Sequence, residues 1–125
     1  MINMITMIEA YLNDGGVIGD WKCHYELWLD DKKAKSQFIV IQSNGGTAVN
    51  KDLGGDFYFS IYVIGKVGRE NLDVVQNKAM SIIEYVKNNP INSCIGTIHM
   101  QAPLGRPTLT EENRVVYELL VRVVR

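Results

Sequence analysis

A chain of 125 residues is expected to form one α+β domain over residues 1–125, long enough for a real core and too short for two. With 46% hydrophobic and 22% charged residues it has an ordinary globular composition; its net charge of -1, with no basic tract, argues against direct nucleic-acid binding. The apolar start "MINMITMIEAYL" is shorter than the roughly 20 residues that span a bilayer, and it lacks the basic leader of a signal peptide. The expectation is a cytoplasmic protein with no membrane partner, Met4 and Met7 being alternative starts.

In chain order, Ile2, Ile5, Ile8 and Leu12 recur at helical spacing, and Asn13-Asp14-Gly15-Gly16 ends that helix. "WKCHYELWLD" then alternates as a strand, with Trp21, Cys23, Tyr25, Leu27 and Leu29 on one face. "DDKKAK" reads as a charged hairpin connection to a second strand, "SQFIVIQS". Next comes "NGGTAVNKDLGGD", a glycine-rich loop expected to be mobile because glycine raises the entropic cost of ordering. "FYFSIYVIGK" is the strongest strand signal, with Phe57, Phe59, Ile61 and Val63 on one face.

Residues 70–89 form the clearest helix, with Leu72, Val75, Ala79, Ile82, Ile83 and Val86 as its apolar stripe and Asn88-Asn89-Pro90 as its stop. "SCIGTIHM" is a fourth strand, and "QAPLGRPTLTEEN" is a loop with two prolines. The final "RVVYELLVRVVR" competes between helix and strand. As a helix it is apolar nearly all round, and five of the ten residues from Val115 to Val124 are valine, which favours a pleated surface. As a strand it has one apolar face, Val115 to Val123 at every second residue, and one mixed face bearing Glu118 and Arg122.

The pattern predicts an α+β fold of about five mostly antiparallel strands and two helices, in the order α-β-β-β-α-β-β. Two helices cover about one sheet face. The second faces, assigned Trp28, Ile39, Ile41, Tyr58, Tyr62, Ile64, Val116, Leu120 and Val124, must then close into a sandwich or meet another subunit.

Catalytic chemistry is not legible. No nucleophile–base set, carboxylate pair in context or metal spacing appears, so no enzyme activity, cofactor or metal is expected. His24 and His99 stand without motifs, and Cys23 and Cys94 are expected to be free thiols. The glycine pairs lack a Walker pattern, and Gly68-Arg69 ahead of a helix is a weak anion signal. Asp30-Asp31 and Glu111-Glu112 read as solvated acids. The aromatic run 57–62 lacks the basic companions of a base-stacking sheet and reads as core.

The leading helix, "WKCHYELW…FIVIQSNGG", "GGDFYFSIYVIGK", "AMSIIEYVKNNP" and "GTIHMQAPLGRPTLTEENRVVYELLVRVV" together resemble the tail terminator (minor tail, or tail completion) proteins of lambda-like long-tailed phages, often prophage-encoded. The resemblance covers nearly the whole chain and is one of layout. It implies a structural, non-catalytic subunit of the virion tail, assembled in the host cytoplasm. Such subunits form a homo-oligomeric ring, commonly a hexamer, that ends polymerisation of the tail tube protein and presents a surface to the head–tail connector protein. Segments 44–56 and 101–113 are the regions this implies for contacts. The candidate interface residues are Val49, Lys51, Asp52 and Leu53 in the first, Arg106 in the second, and Glu118 and Arg122 on the mixed face of the last strand. The competing class is a small binding module of the immunity or antitoxin kind. That class typically needs a strongly charged capture face, against which a net charge of -1 weighs.

Overall fold

The computed structural model describes residues 2–46, 56–93 and 95–124. Its elements are α1 (Ile2–Asp14), β1 (Lys22–Tyr25), β2 (Phe38–Gly46), β3 (Asp56–Val67), α2 (Leu72–Asn88), β4 (Ile91–Asn92), β5 (Gly96–Met100), β6 (Thr108–Leu109) and β7 (Arg114–Val124). A 3₁₀ turn, Arg69–Asn71, leads into α2. The strands form one sheet in the order β1-β2-β3-β7-β5-β4, with β6 paired to β7 as well.

The α+β class and both helices match the sequence pattern, but three details are corrected. The described residues form seven strands rather than five, because the two-residue β4 and β6 are too short to show a period. The first pair is parallel: Lys22 lies opposite Phe38 and Tyr25 opposite Ile41. The expected hairpin fails because the strand ends at Tyr25: Glu26 follows with a left-handed φ of 62°, and the chain then crosses the sheet before starting β2. Finally, Ile39 and Ile41 belong to the core face, and Phe38 and Val40 take their place on the second face. In an all-apolar run such as Phe-Ile-Val-Ile the parity is set by partners, here Ile39 opposite Val63 and Ile41 opposite Ile61.

The main core lies between the sheet and the two helices. α1 contributes Ile5, Ile8 and Leu12, and α2 contributes Val75, Ala79, Ile82, Ile83 and Val86. These meet Phe57, Phe59, Ile61 and Val63 of β3 and the alternate residues Val115, Tyr117, Leu119, Val121 and Val123 of β7. The valine-rich end of the chain is thus a strand. It lies between β3 and β5, so a central strand closes the sheet from the chain's far end.

α1 ends in a paired-bond cap. Gly16 adopts φ 69° and donates to Asn13, while Val17 donates to Leu12, satisfying carbonyls that the helix leaves open. Gly65 on β3 leaves space that the Val75 side chain of α2 occupies, so helix and sheet approach closely there.

Cys23 is a free thiol, half-buried, and burial first and a hydrogen bond with Glu9 second push its pKa up to about 12. Cys94 lies outside the described residues. In a Cys94→Ser background, a thiol reagent at pH 8 should label Cys23 slowly until denaturant is added. Rapid labelling of the folded protein would contradict this burial.

Ile82 is fully buried beneath α2. Ile82→Ala should cost about 2–5 kcal/mol in a urea melt, as a large-to-small core change does. A cost near zero would mean that the helix buries another stripe.

Candidate assembly interface

The sheet's second face divides into a covered half and an open half. The cover is a strap of residues 26–37, and its anchor is Arg114, the first residue of β7. Its side chain is fully buried, a position an arginine holds only when its donors are matched. They are. Nε donates to Asp30 Oδ2 at 2.9 Å, and Nη2 donates to Asp30 Oδ1 at 3.2 Å and to the Lys33 carbonyl. Nη1 donates to the Ser36 carbonyl at 2.6 Å and the Gly65 carbonyl at 3.0 Å. The guanidinium also lies 5.2 Å from the centre of the Phe38 ring.

Burial pushes the Asp30 carboxyl up, but the Arg114 hydrogen bonds and the Lys32 N–H outweigh it and hold the group below the usual carboxylate range. Asp31 is lowered too, by the Ser36 hydroxyl first and then by the Lys33 N–H, with Lys22 adding a 2.9 Å ion pair. Asp30 and Asp31 are therefore structural ligands of the strap, a correction to their reading as solvated acids. The strap alternates. Trp28 packs inward with its ring 5.4 Å from that of Phe38, and Asp30 turns inward to Arg114. Leu27 and Leu29 turn outward, 86% and 84% exposed, so they are not on the core face that alternation suggested. At the strap's start, the Glu26 carboxylate accepts the Ser43 N–H at 2.6 Å and the Ser43 hydroxyl.

The open half consists of cross-strand rows. Tyr62 and Glu118 form one, beside the buried Val40 of the covered half; Gln42, Ser60 and Leu120 form the next, then Tyr58, Arg122 and His99. Glu118 accepts the Ser60 hydroxyl at 2.8 Å and the Tyr62 hydroxyl at 3.1 Å, and Asn44 donates to Ser60. Burial, then the Glu118 charge, raises the Tyr62 pKa. Arg122 pairs with Asp56 at 2.9 Å while its buried Nε has no hydrogen-bond partner among the described residues. Leu120, Tyr58 and Val124 remain wholly or partly exposed beside these groups.

The structure therefore places Glu118 and Arg122 on one face, two rows apart and each with its own partners. Arg106 is exposed on the segment between β5 and β6, away from the β3 side of β7 where Glu118 and Arg122 make their bonds. Val49, Lys51, Asp52 and Leu53 lie outside the described residues. Their segment leaves β2 at Gly46, opposite Phe57, and returns at Asp56, the partner of Arg122. Sequence reasoning missed Arg114 and the two strap leucines. The available signal was a lone base ahead of a valine-rich strand and an acid pair in a supposed turn.

Two hollows flank β6. One, about 410 Å³, is lined on the second face by Trp28, Val40, Tyr62, Ile64 and Val116. The other, about 380 Å³, lies towards the helices and is lined by Arg69, Leu72, Pro107, Thr108, Leu109 and Val115. Among the described residues no group of three or more His, Cys, Asp or Glu could hold a metal, and no helix is long and apolar enough to cross a membrane.

A family model described as phage tail termination protein matches residues 1–125. The chain belongs to the phage tail terminator family. Its role is accordingly structural, in assembly of the virion tail, where it contacts other tail or head proteins. No curated protein matches the sequence. A solved structure whose name states no function is similar in fold, with a TM-score of 0.60 at 15% identity over 100% of this terminator and 96% of that chain.

The Asp30 shift makes stability depend on pH. A carboxyl held below its unfolded value stabilises the fold above about pH 4, and that contribution is lost as pH falls through the lower folded value. Asp30→Asn should lower the melting temperature at pH 7 and flatten its fall under acid. Arg114→Met, which takes the matching charge from the half-buried Asp30 and the donors from the Lys33, Ser36 and Gly65 carbonyls, should cost roughly 3–5 kcal/mol. Equal melting curves for wild type and both variants across pH 2–7 would refute the anchor.

Proposed function

We propose that this terminator acts as a ring of like subunits, commonly six, that caps the tail tube, ends polymerisation of the tube protein and offers its other side to the head–tail connector. The whole-chain family match gives the setting, and one observation supports self-assembly. The second face of the sheet is only half covered, with Leu27, Leu29 and Leu120 left exposed around paired polar groups. Apolar patches rimmed by polar residues mark contact surfaces. Glu118 and Arg122, already held by Tyr62 and Asp56, present fixed charges that set register more than affinity.

Val49, Lys51, Asp52 and Leu53, together with Arg106, serve in this scheme as contacts to a ring neighbour or the tube, and the domain acts as one unit over 1–125. The role requires no catalytic step, cofactor or nucleic acid. A prophage gene in a lambda-like tail cluster is the natural setting.

Mass photometry and light scattering should find a closed oligomer near six times the subunit mass, in solution or on purified tubes. A species that stays monomeric and leaves tube growth unaltered would remove the proposal. Replacing residues 45–55 by an Asn-Gly turn should leave the melting temperature nearly unchanged and spoil ring formation or tail-length control. Normal rings and normal tails from that variant would reduce the segment to a connection.

A further inference from the structure

Five of the chain's eight lysines stand at one end of the sheet. Lys22 opens β1 opposite Phe38, the first residue of β2, and Phe38 lies opposite Ile64, two residues before Lys66 on β3. The close of the strap adds Lys32, Lys33 and Lys35. Lys22, Lys33, Lys35 and Lys66 line one hollow of about 320 Å³, in which Asp20 is the single acid.

The strap as a whole is neutral, but its acids are spent inside the subunit. Asp30 holds the buried Arg114, and Asp31 holds Lys22 at 2.9 Å. Lys32 is taken by Glu112 at 2.7 Å. Among the described residues Lys33, Lys35 and Lys66 enter no ion pair. With Lys22 cancelled by Asp31, the hollow keeps three unpaired lysines against Asp20, an excess of two positive charges.

The backbone that carries these lysines is fixed. Arg114 donates to the Lys33 and Ser36 carbonyls, and the Val67 N–H donates to the Ala34 carbonyl at 2.9 Å. That last bond sets Lys33 and Lys35 beside the end of β3 and so beside Lys66. Like charges held together repel, and acids on a partner relieve the repulsion without first ordering the segment. The surface is also distinct from the contacts considered so far, since the glycine segment departs from the other end of β2, at Gly46. A phosphate backbone is engaged by a series of cations along its length, whereas this cluster is compact. The family role supplies partners of another kind, other proteins of the tail or head.

We propose that the lysine hollow docks an acidic face of another tail or head protein, whose Asp or Glu side chains meet Lys33, Lys35 and Lys66. This rests on the reading of a subunit that meets tube and connector, and it holds for any ring size. The test variant is Lys33→Glu with Lys35→Glu and Lys66→Glu, and Lys87→Glu on α2 is the control for a reversal elsewhere. All four lysines are exposed, so circular dichroism and melting should match wild type. If the reversal disturbs the strap, glutamine at the same three positions replaces it.

Capture from solution is followed on immobilised tail tubes and on immobilised connector, at low and at high salt. On one of the two surfaces the triple variant should bind at least roughly tenfold more slowly at low salt, with the gap closing as salt rises. Lys87→Glu should bind like wild type. Capture of the triple variant at the wild-type rate on both surfaces would overturn the docking. A defect that persists unchanged at high salt would mean lost packing rather than lost charge and would overturn it too. Weakened self-association in mass photometry, with both captures intact, would give the lysines to a second copy instead. A DNA duplex bound by wild type and lost by the triple variant, again with both captures intact, would make the patch a nucleic-acid contact. Wild-type protein captured by neither surface would take down the capping reading together with this docking.

Discussion

The architecture of the second sheet face depends on one buried guanidinium. Arg114 enters the core side of the strap at the first residue of the last long strand, and its donors reach Asp30, Lys33, Ser36 and Gly65. Those acceptors belong to the strap and to β3, so one side chain ties three separate parts of the chain. An ion pair this deep does not by itself add stability, since desolvation offsets the attraction. Its effect is selection. With Asp30 and the strap carbonyls in place the charge is matched, and in any other arrangement of residues 26–37 it is not. The strap is thereby held across the sheet, with Trp28 down and its leucines up.

That constraint explains the odd first pair of strands. A hairpin would have run residues 21–30 and 36–43 side by side and spent the apolar alternation on a long edge strand. Instead Glu26 turns the chain over the second face, and β2 starts again at the same end as β1. Crossing the sheet is what a parallel connection demands, and Arg114 supplies the fastening that makes the crossing stable. The short edge strand that remains also gives less open ladder for unwanted pairing.

Much of the helix side was legible from sequence because its signals are periodic and local. The stripe of α2 and the alternation of β3 and β7 each identify a buried face without reference to partners, and the Asn-Asp-Gly-Gly stop of α1 is a local cap. The strap was not legible, for a physical reason. Leu27 and Leu29 continue the alternation of Trp21, Cys23 and Tyr25, so composition cannot show that the chain turns at Glu26. The deciding partner, Arg114, lies 84 residues from Asp30 in sequence. The parity of Phe38-Ile39-Val40-Ile41 was likewise set from outside, by register with β3. Among the candidate contact residues, Glu118 and Arg122 were found because a charge on a valine-rich strand breaks a pattern; Arg106 and the glycine-segment residues came from the family resemblance.

The open half of the face differs from the covered half in kind. Under the strap the contacts are aromatic and buried; below it Glu118, Ser60, Tyr62 and Asn44 satisfy one another in a hydrogen-bonded cluster, and Arg122 leans on Asp56. Polar groups paired in this way, those of Glu118, Ser60, Tyr62 and Asn44, can approach a partner without being stripped of water unpaired, a main penalty in forming an interface; the Arg122 Nε is the exception. In the proposed assembly the exposed leucines would supply the attraction, and the prearranged polar groups would reject a misaligned copy. For a phage tail terminator, whose role lies in assembly of the tail, that division suits a contact surface. In the proposed ring, apolar contacts hold the subunits and the fixed charges set their register, while the buried arginine keeps the strap in place before any partner arrives.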